Sequence, residues 1–460
     1  MKQVNFKTEI CPEKTFLILA FLFGLLFIFI MPPFQTPDEP NHFYRIYQLS
    51  EGIFVGEKTD FGSGGHIPED LIKMTKDLRG DIPFHKDKKF QIKKLKKYWS
   101  VKTNFKNTQF INFKNTVLYS PVMYLPQVTG VSVAKISNFS PLLMIYFGRL
   151  FNLFVFIAMG YYAIKFMPVS KWALTLLALM PMTIHQASSL STDAVCIGLS
   201  FLFISLVLNL ALTDEKRITG KQVVLIFLAA ILLSLCKLNC VLILLSFFLI
   251  PANKFKSKKH YLGAFFTIFI SCIALILLWN LSLKQIYVPR NVFVNPFEQL
   301  MYIVNHPVSF FKNFLSVFGN FHTIHSFFGV LGWLDIPLPK ILGGLYLITI
   351  LLTSLFSYNK NITIKIKQKL IVIFILFINF FLIHLLLYLS FSEAGTQQIL
   401  GVQGRYFIPA SPLLLILLYN NKFQNKIVFL KKYGEAVLVC FIIVTLITAV
   451  IFAMKRYYLI

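Results

Sequence analysis

The feature that most limits how this chain can fold is a series of long apolar runs separated by short charged segments. A bilayer contains no water to satisfy backbone polar groups, so only helices and closed barrels cross it. The runs have the length of membrane-spanning helices and lack the ten-residue alternation of barrel strands. The sequence therefore predicts an all-α polytopic membrane protein.

Counting these runs predicts about eleven transmembrane helices. The stretch 222–250 is too long for one span and too short for two ordinary ones, and Lys237 lies at its middle, so we expect two short helices that meet there. The first run lacks a small-residue cleavage site, which favours an uncleaved span over a signal peptide. The runs are 15–31, 141–164, 172–187, 194–212, 222–236, 238–250, 261–283, 338–357, 370–391, 407–421 and 434–454.

The composition supports a membrane protein and argues against a nucleic-acid partner. Hydrophobic residues make up 56% of the 460 residues and charged residues only 14%, whereas a soluble domain carries about 25% charged residues. The net charge of +26 is spread over the hydrophilic joints. We interpret it as topology and as attraction to anionic membrane lipid, and expect no nucleic acid as a partner.

The distribution of basic residues predicts the orientation. With a cytoplasmic N-terminus, the short inside segments hold 20 Lys and Arg residues and the short outside segments hold 5. This is the bias expected of cytoplasmic loops, from which long loops are exempt. The orientation places the loop 32–140 on the extracytoplasmic side. This orientation also places the C-terminus outside with Lys455 and Arg456, which is unfavourable under the same bias.

We expect one membrane domain, 1–460, in which two long hydrophilic segments are structured outside the membrane. The loop 32–140 has helix starts and aromatic residues, and we expect amphipathic or re-entrant helices in it. Gly62-Ser63-Gly64-Gly65 is typical of a turn. The second segment, 284–337, has amphipathic spacing that is typical of helices lying along the interface.

A helix start follows the first span. Thr36 as N-cap, Pro37 at the first helical position and a capping box to Glu39 predict a helix from this point. It should run to about Ser50 and stop at Gly52.

Acidic and basic side chains recur along one face of this predicted helix. Asp38, His42 and Arg45 are spaced i, i+4 and i+7, with Glu39 beside the first of them. Asp38, Glu39 and His42 are candidate catalytic residues, and Arg45 is a candidate anion ligand. A surface ion-pair ladder explains the same spacing, and the cap explains Glu39.

Arg405 opens a late span from the outside in the run Gln403-Gly404-Arg405-Tyr406. A guanidinium at the outer edge of a bundle suits a lipid-borne phosphate. Gln403 and Tyr406 are candidate neighbours in this substrate site. Snorkelling of Arg405 to lipid headgroups is the alternative.

Three further charged residues lie at or within predicted spans. Asp193 opens a span and is a candidate for substrate binding or for an N-cap. Lys237 and Arg149 are expensive in a bilayer unless they face a polar cavity, so both are candidate substrate ligands. No His spacing indicates a metal site. We expect no cofactor, and a divalent cation remains open.

Several motifs, taken in order, resemble one bacterial family of predicted multi-pass membrane proteins catalogued as a domain of unknown function. The resemblance covers nearly the whole chain, and that family in turn looks like the membrane glycosyltransferases of the C-type fold. The motifs are Pro-Asp38-Glu-Pro-x-His, Tyr119-Ser-Pro-x-x-Tyr-Leu-Pro-Gln, Ser191-x-Asp193, Gly-Trp-Leu-Asp335 and Gln-Gly-Arg405-Tyr-Phe-x-Pro.

The resemblance implies a multi-pass protein of the bacterial cytoplasmic membrane with its active site outside. It also implies transfer of a sugar from a polyprenyl-phosphate carrier to an extracytoplasmic cell-envelope glycan or lipid. It makes Asp38 the general base and suggests Arg405 as ligand of the lipid phosphate, with Lys237 and Arg149 as helpers. A transporter or flippase of lipid-linked saccharide is the main alternative. A polysaccharide polymerase or ligase and a non-catalytic scaffold are the others.

Overall fold

The structure is a computed structural model that describes residues 10–213, 217–289, 293–357, 359–420 and 428–459, without the side chains of 428–433. The predicted orientation puts the joints 213–221 and 420–433 in the cytoplasm, and both lie partly outside the described residues. The α-helices within them are α1 Pro12–Ile30, α2 Glu39–Ser50, α3 Glu69–Arg79, α4 Lys93–Trp99, α5 Leu125–Ile136, α6 Pro141–Phe166, α7 Lys171–Ala178, α8 Pro181–Ala187, α9 Asp193–Leu212, α10 Gly220–Ser234, α11 Lys258–Leu283, α12 Pro296–Asn305, α13 Pro307–Ser316, α14 Phe321–Gly329, α15 Lys340–Leu355, α16 Ile366–Phe391, α17 Pro412–Leu418 and α18 Val428–Tyr457. The 3₁₀ helices are Pro121–Tyr124, Leu238–Leu249, Ala252–Lys254, Val317–Gly319 and Gly404–Phe407.

Six of these helices are long and apolar enough to cross a membrane, namely α1, α6, α9, α11, α16 and residues 434–457 of α18. Shorter apolar helices are α10, α15 and the 3₁₀ helix Leu238–Leu249. The chain is a mostly helical membrane protein, as predicted, and the number of eleven spans stays a prediction. The stretch 222–250 forms two short helices on either side of Lys237, as expected.

Helix α9 is the centre of the bundle. In its most apolar window, 89% of the residues are buried inside the protein, against 17% in α11. Helix α6 packs against α9, α5 and α1, and α16 packs against the 3₁₀ helix Leu238–Leu249. Because α9 is surrounded by protein, the polar residue at its first position faces other side chains rather than lipid.

The loop 32–140 contains a small antiparallel sheet that the sequence analysis did not predict. Its strands are β1 Glu57–Thr59, β2 Gly62–Pro68 and β3 Thr108–Asn112, in the order β1-β2-β3. The turn assigned to 62–65 is wrong, because these residues form the first part of β2. A Cβ atom on Gly64 would lie 1.8 Å from the carbonyl oxygen of Ile111, so glycine here permits close strand pairing.

The end of α18 is bound to the loop 32–140. Arg456 forms a buried ion pair with Asp335, Nε to Oδ2 at 2.7 Å, and donates to the carbonyl oxygens of Lys88 and Ile82. The amide of Phe90 also donates to the carbonyl of Tyr457. These contacts put the end of the last helix on the same side of the bundle as the first loop. We call this the loop side, and the partners of Arg456 explain how a basic helix end is tolerated there.

Candidate functional site

The helix after the first span begins later than predicted, at Glu39 rather than Pro37. Asp38 precedes it in a left-handed conformation, with φ of 60°, and makes no side-chain cap. The hydroxyl of Thr36 is buried without a hydrogen-bond partner in the described part of the chain. The predicted capping box is therefore wrong, whereas the predicted end at Ser50 is confirmed. A left-handed conformation at a non-glycine residue costs about 1–3 kcal/mol and is common at functional sites.

Glu39 is drawn away from the cap by Arg149. The two side chains are fully buried and form a two-pronged ion pair, with Nε to Oε1 at 2.9 Å and Nη2 to Oε2 at 2.7 Å. Glu39 also accepts from the amides of Phe34 and Leu190. Arg149 also donates to the carbonyl of Met31. A charged hydrogen-bonded pair outweighs a helix cap in a dry interior, so this pair acts as a clamp that joins α1, α2, α6 and the loop before α9.

Arg45 leaves the face that it was expected to share with Asp38 and His42. Its buried guanidinium donates to the side chain of Gln48 and to the carbonyl of Phe54, at 2.7 Å. Burial lowers the pKa of Arg45 to about 10. Its contacts are those of a residue that holds the loop together, and it does not line the cavity described next.

A polar cavity of about 580 Å³, the junction cavity, lies at the loop side of the bundle. It brings together six of the predicted site residues, which come from four separate stretches of the chain. They are Asp38, His42, Asp193, Lys237, Arg405 and Tyr406. Glu39, Arg149, Arg45 and Gln403 do not line it.

Asp38 and His42 form one wall of the junction cavity. Oδ1 of Asp38 accepts a hydrogen bond of 2.8 Å from Asn115, and Oδ2 has no partner among the described residues. Nδ1 of His42 lies 2.8 Å from the hydroxyl of Tyr124. Burial lowers the pKa of His42 to about 4, although the negative charges of Asp38 and Asp193 oppose this. His42 is therefore neutral near pH 7, and one oxygen of Asp38 is free to accept a proton.

Asp193, Lys237 and Arg405 form a charged cluster in the same cavity. Lys237 Nζ forms an ion pair with Asp193 Oδ1, and Arg405 Nη1 lies 3.5 Å from Asp193 Oδ2. Arg405 also donates to Gln186 at 3.1 Å, while its buried Nε has no partner in the described chain. The lysine side chain is 24% exposed, so it faces open space, as a lysine at this depth requires. One carboxylate shared by two cations leaves a net positive charge.

The same charged cluster borders a second cavity, of about 430 Å³, which we call the apolar cavity. Its other walls are mostly apolar side chains of α9, α11 and α16, such as Ile197, Ile276 and Leu386. Asp193, Lys237, Arg405, Tyr406 and Tyr119 line both cavities. The junction cavity and the apolar cavity are therefore adjacent, and Lys237 and Arg405 lie at the boundary between them.

The glycine before Arg405 sets the position of the guanidinium. A Cβ atom on Gly404 would lie 2.0 Å from the amide nitrogen of Phe327, so only glycine allows this segment to pack on α14. Its amide donates to the hydroxyl of Ser326 at 2.8 Å. The ring of Tyr406 lies under both cations, with Lys237 Nζ 5.4 Å and Arg405 Cζ 5.6 Å from its centre. Gln403 lies outside the cavity, and its buried Oε1 has no partner within the described residues.

A family model described as predicted membrane protein (DUF2142) matches residues 21–414. The chain belongs to this family. The match covers the second half of the first span, the large loop and the segment around Arg405, and it confirms the predicted membership of a membrane protein family of unknown function. No curated protein and no solved structure matches the chain.

Sequence reasoning missed several residues of this DUF2142 site. Asn115 fixes Asp38, Tyr124 contacts His42, and Gln186 contacts Arg405. Tyr124 falls in one of the motifs quoted above, which was a usable signal. Asn115 and Gln186 carry no such signal, because an amide in a loop or in a short helix is common.

Within the part of the chain that the structure describes, no group of three or more His, Cys, Asp or Glu residues is arranged to hold a metal ion.

Proposed function

We propose that this protein transfers a sugar from a polyprenyl-phosphate carrier to a hydroxyl group of a cell-envelope glycan or lipid, as a membrane glycosyltransferase of the C-type fold. The observation that carries the proposal is that Asp38 lines the same cavity as Lys237 and Arg405, and that these two cations also border an apolar cavity between helices. A free carboxylate, a phosphate site and a space for a hydrocarbon chain are then next to each other.

The two cavities suit the two parts of an amphiphilic donor. The prenyl chain would occupy the apolar cavity, whose walls come from α9, α11 and α16. The phosphate would lie at the junction, where Lys237 and Arg405 outnumber the single carboxylate of Asp193. The unpartnered Nε of Arg405 offers a donor that the protein itself does not use. Buried polar groups without partners are rare and favour a ligand at this point.

The residues also suit the chemistry of transfer. The acceptor hydroxyl would attack the anomeric carbon of the sugar, forming a glycosidic bond as the bond from that carbon to the phosphate oxygen breaks. Oδ2 of Asp38 would take the hydroxyl proton, while Oδ1 is held by Asn115. The leaving polyprenyl phosphate gains negative charge, and two fixed cations stabilise that charge as it develops.

Asp38→Asn tests the proposal. The assay follows a radiolabelled sugar from synthetic polyprenyl-phosphate sugars, supplied as a panel, to acceptors in isolated envelope membranes. We expect the wild type to transfer label and Asp38→Asn to lose about 10²–10⁴-fold in rate, with unchanged binding of polyprenyl phosphate. Asp87→Asn, an exposed carboxylate in the same loop, should transfer normally.

The same preparations discriminate the flippase alternative. A flippase in vesicles would move a fluorescent polyprenyl-phosphate sugar between leaflets without breaking the bond between sugar and phosphate. Lipid crossing without label transfer by the wild type, or equal transfer by the wild type and Asp38→Asn, would overturn the glycosyltransferase proposal.

A further inference from the structure

Asp38 lines a second polar cavity besides the junction cavity. This loop cavity, of about 430 Å³, lies between the start of α2 and the end of α3, and Trp333 closes one side. Asp38 and Asn41 line both it and the junction cavity. Lys237, Arg405 and the helices of the apolar cavity take no part in its walls. Asp38 therefore borders two spaces. One is lined by Lys237 and Arg405, and the other by residues of the loop 32–140 together with Trp333.

Two cations in the loop cavity are not committed to other groups. The guanidinium of Arg79 and the ammonium of Lys76 make no hydrogen bond and no ion pair with any described residue. A carboxylate, Asp81, also lines the cavity, but it forms an ion pair with Lys88 at 3.2 Å. Arg79 Cζ lies 5.3 Å from the centre of the Trp333 ring. The ring therefore holds the guanidinium by a cation–π contact while leaving its N–H groups available.

Trp333 is itself fixed in place. Its Nε1 donates to the carbonyl oxygen of Phe34 at 3.1 Å, and its ring meets that of Phe84 edge to face at 5.7 Å. The next residue, Leu334, has a φ of 62°. A strained backbone and a partly buried hydrogen bond that hold one aromatic wall are typical of a preformed binding site.

The remaining walls offer hydrogen-bonding groups suited to hydroxyls. Oδ2 of Asp38 has no partner among the described residues, and Asn41 uses its amide to donate to Asn115 at 2.7 Å, which leaves its oxygen to accept. Thr75 and Tyr44 also line the cavity, but the Thr75 hydroxyl donates to the carbonyl oxygen of Leu71 at 2.7 Å and is hydrogen-bonded to Tyr44. A cavity with free cations, free acceptors and an aromatic wall matches a hydroxyl-rich molecule that carries negative charge.

We infer that the loop cavity binds the acceptor, and that the acceptor is an anionic glycan whose carboxylate or phosphate groups contact Arg79 and Lys76. This inference rests on the proposed function, since it assigns the second substrate of the same reaction. Because Asp38 borders both cavities, a hydroxyl of a glycan bound in the loop cavity reaches the same carboxylate that faces Lys237 and Arg405 in the junction cavity.

Binding of defined oligosaccharides tests the inference without any transfer reaction. The purified full chain in lipid nanodiscs is titrated with three probes of equal length: an oligogalacturonate, an oligomer of glycerol phosphate and a neutral dextran oligomer. At low salt we expect at least one anionic probe to bind and the neutral one to bind at least tenfold more weakly. The two anionic probes distinguish a carboxylate-bearing glycan from a phosphate-bearing one.

Two substitutions locate the binding site. Arg79→Gln and Lys76→Gln should each weaken binding of the anionic probe about tenfold, as loss of one charge-assisted contact does. Lys73→Gln, on the same helix but outside the cavity, should bind like the wild type. Binding of polyprenyl phosphate should be unchanged in all three variants, which shows that they are folded.

The outcomes separate this inference from the proposed function. Equal binding of anionic and neutral probes, failure of every probe to bind the wild type, or normal anionic binding by Arg79→Gln and Lys76→Gln would overturn the acceptor site. If the wild type binds the anionic glycan but neither binds polyprenyl phosphate nor transfers sugar, the proposed function is overturned instead.

Discussion

Arg405 Nη1 lies 3.5 Å from Oδ2 of Asp193, although 211 residues separate them in the chain, and Lys237 contacts the other oxygen of the same carboxylate. Asp193 thus holds two cations side by side that would otherwise repel each other. This arrangement requires burial of the Asp193 carboxylate at the start of the most buried span, which is unfavourable without the two cations. The arrangement keeps two positive charges at the boundary between the junction cavity and the apolar cavity.

Removing one of these cations should weaken donor binding. We expect Arg405→Ala and Lys237→Met each to raise the Kd for polyprenyl phosphate about 10–100-fold, because a hydrogen bond to a charged group is worth about 1.5–3 kcal/mol. Arg405→Lys should recover part of the loss, since it restores the charge without the planar fork. Titration of the purified protein in nanodiscs measures the affinity. Lys284→Met, at an exposed position, is the control, and a normal Kd in both cavity variants would contradict the phosphate site.

The pair Glu39 and Arg149 should govern stability rather than chemistry. Each single change, Glu39→Gln or Arg149→Met, leaves a buried charge without its partner and should cost about 3–5 kcal/mol. The double variant should be less destabilised than the sum of the two. Thermal unfolding in detergent, followed by tryptophan fluorescence, checks this.

The exposed ion pair of Lys73 and Glu69, at 3.8 Å, is the control for these variants of the buried pair. Lys73→Met should change the unfolding midpoint little, since such pairs contribute about 0–1 kcal/mol. Single variants of the clamp that unfold at the wild-type temperature yet lose transfer would show instead that Glu39 or Arg149 acts in the reaction.

His42 should make the protein less stable in acid. Its pKa in the folded protein is about 4 and its ordinary value is 6.5, so between these values the unfolded chain binds a proton that the folded chain does not. Stability from this group is complete above about pH 6.5 and falls as the pH decreases toward 4, by about 3 kcal/mol at most. Unfolding midpoints of the wild type should decrease across this window, and those of His42→Gln should decrease less. His306→Gln, at an exposed position, should follow the wild type; identical curves for His42→Gln would refute the assignment.

The orientation can be tested by labelling introduced cysteines in intact cells. With the loop 32–140 outside and the joint 251–260 inside, Asp87→Cys should react with a membrane-impermeant thiol reagent and Lys259→Cys should react only after lysis. Both positions are exposed in the structure. The reverse pattern would invert the topology and place the junction cavity on the cytoplasmic side.

Several site residues could be foreseen because their cost in a bilayer is local. Lys237 interrupts an apolar stretch and Asp193 opens one, so each needs a polar neighbour whatever the fold. Arg405 was predicted on a different ground, because a guanidinium at the outer edge of a bundle suits a lipid-borne phosphate. The roles of Glu39 and Arg45 were harder to foresee, because helical spacing shows which side chains share a face but not which buried partner, such as Arg149, competes for them.

The amino-acid sequence is sufficient to predict a helical membrane protein, the approximate positions of its apolar helices and the location of most charges in the joints between them, because the free energy of placing a residue in hydrocarbon depends mainly on that residue. Which charges meet can be seen only in the folded chain. Asp38 and Arg405 line one cavity, while Glu39 and Arg149 close on each other away from it. Such pairing depends on distances between remote segments, which are fixed by how α1, α2, α6 and α9 pack and not by any local pattern.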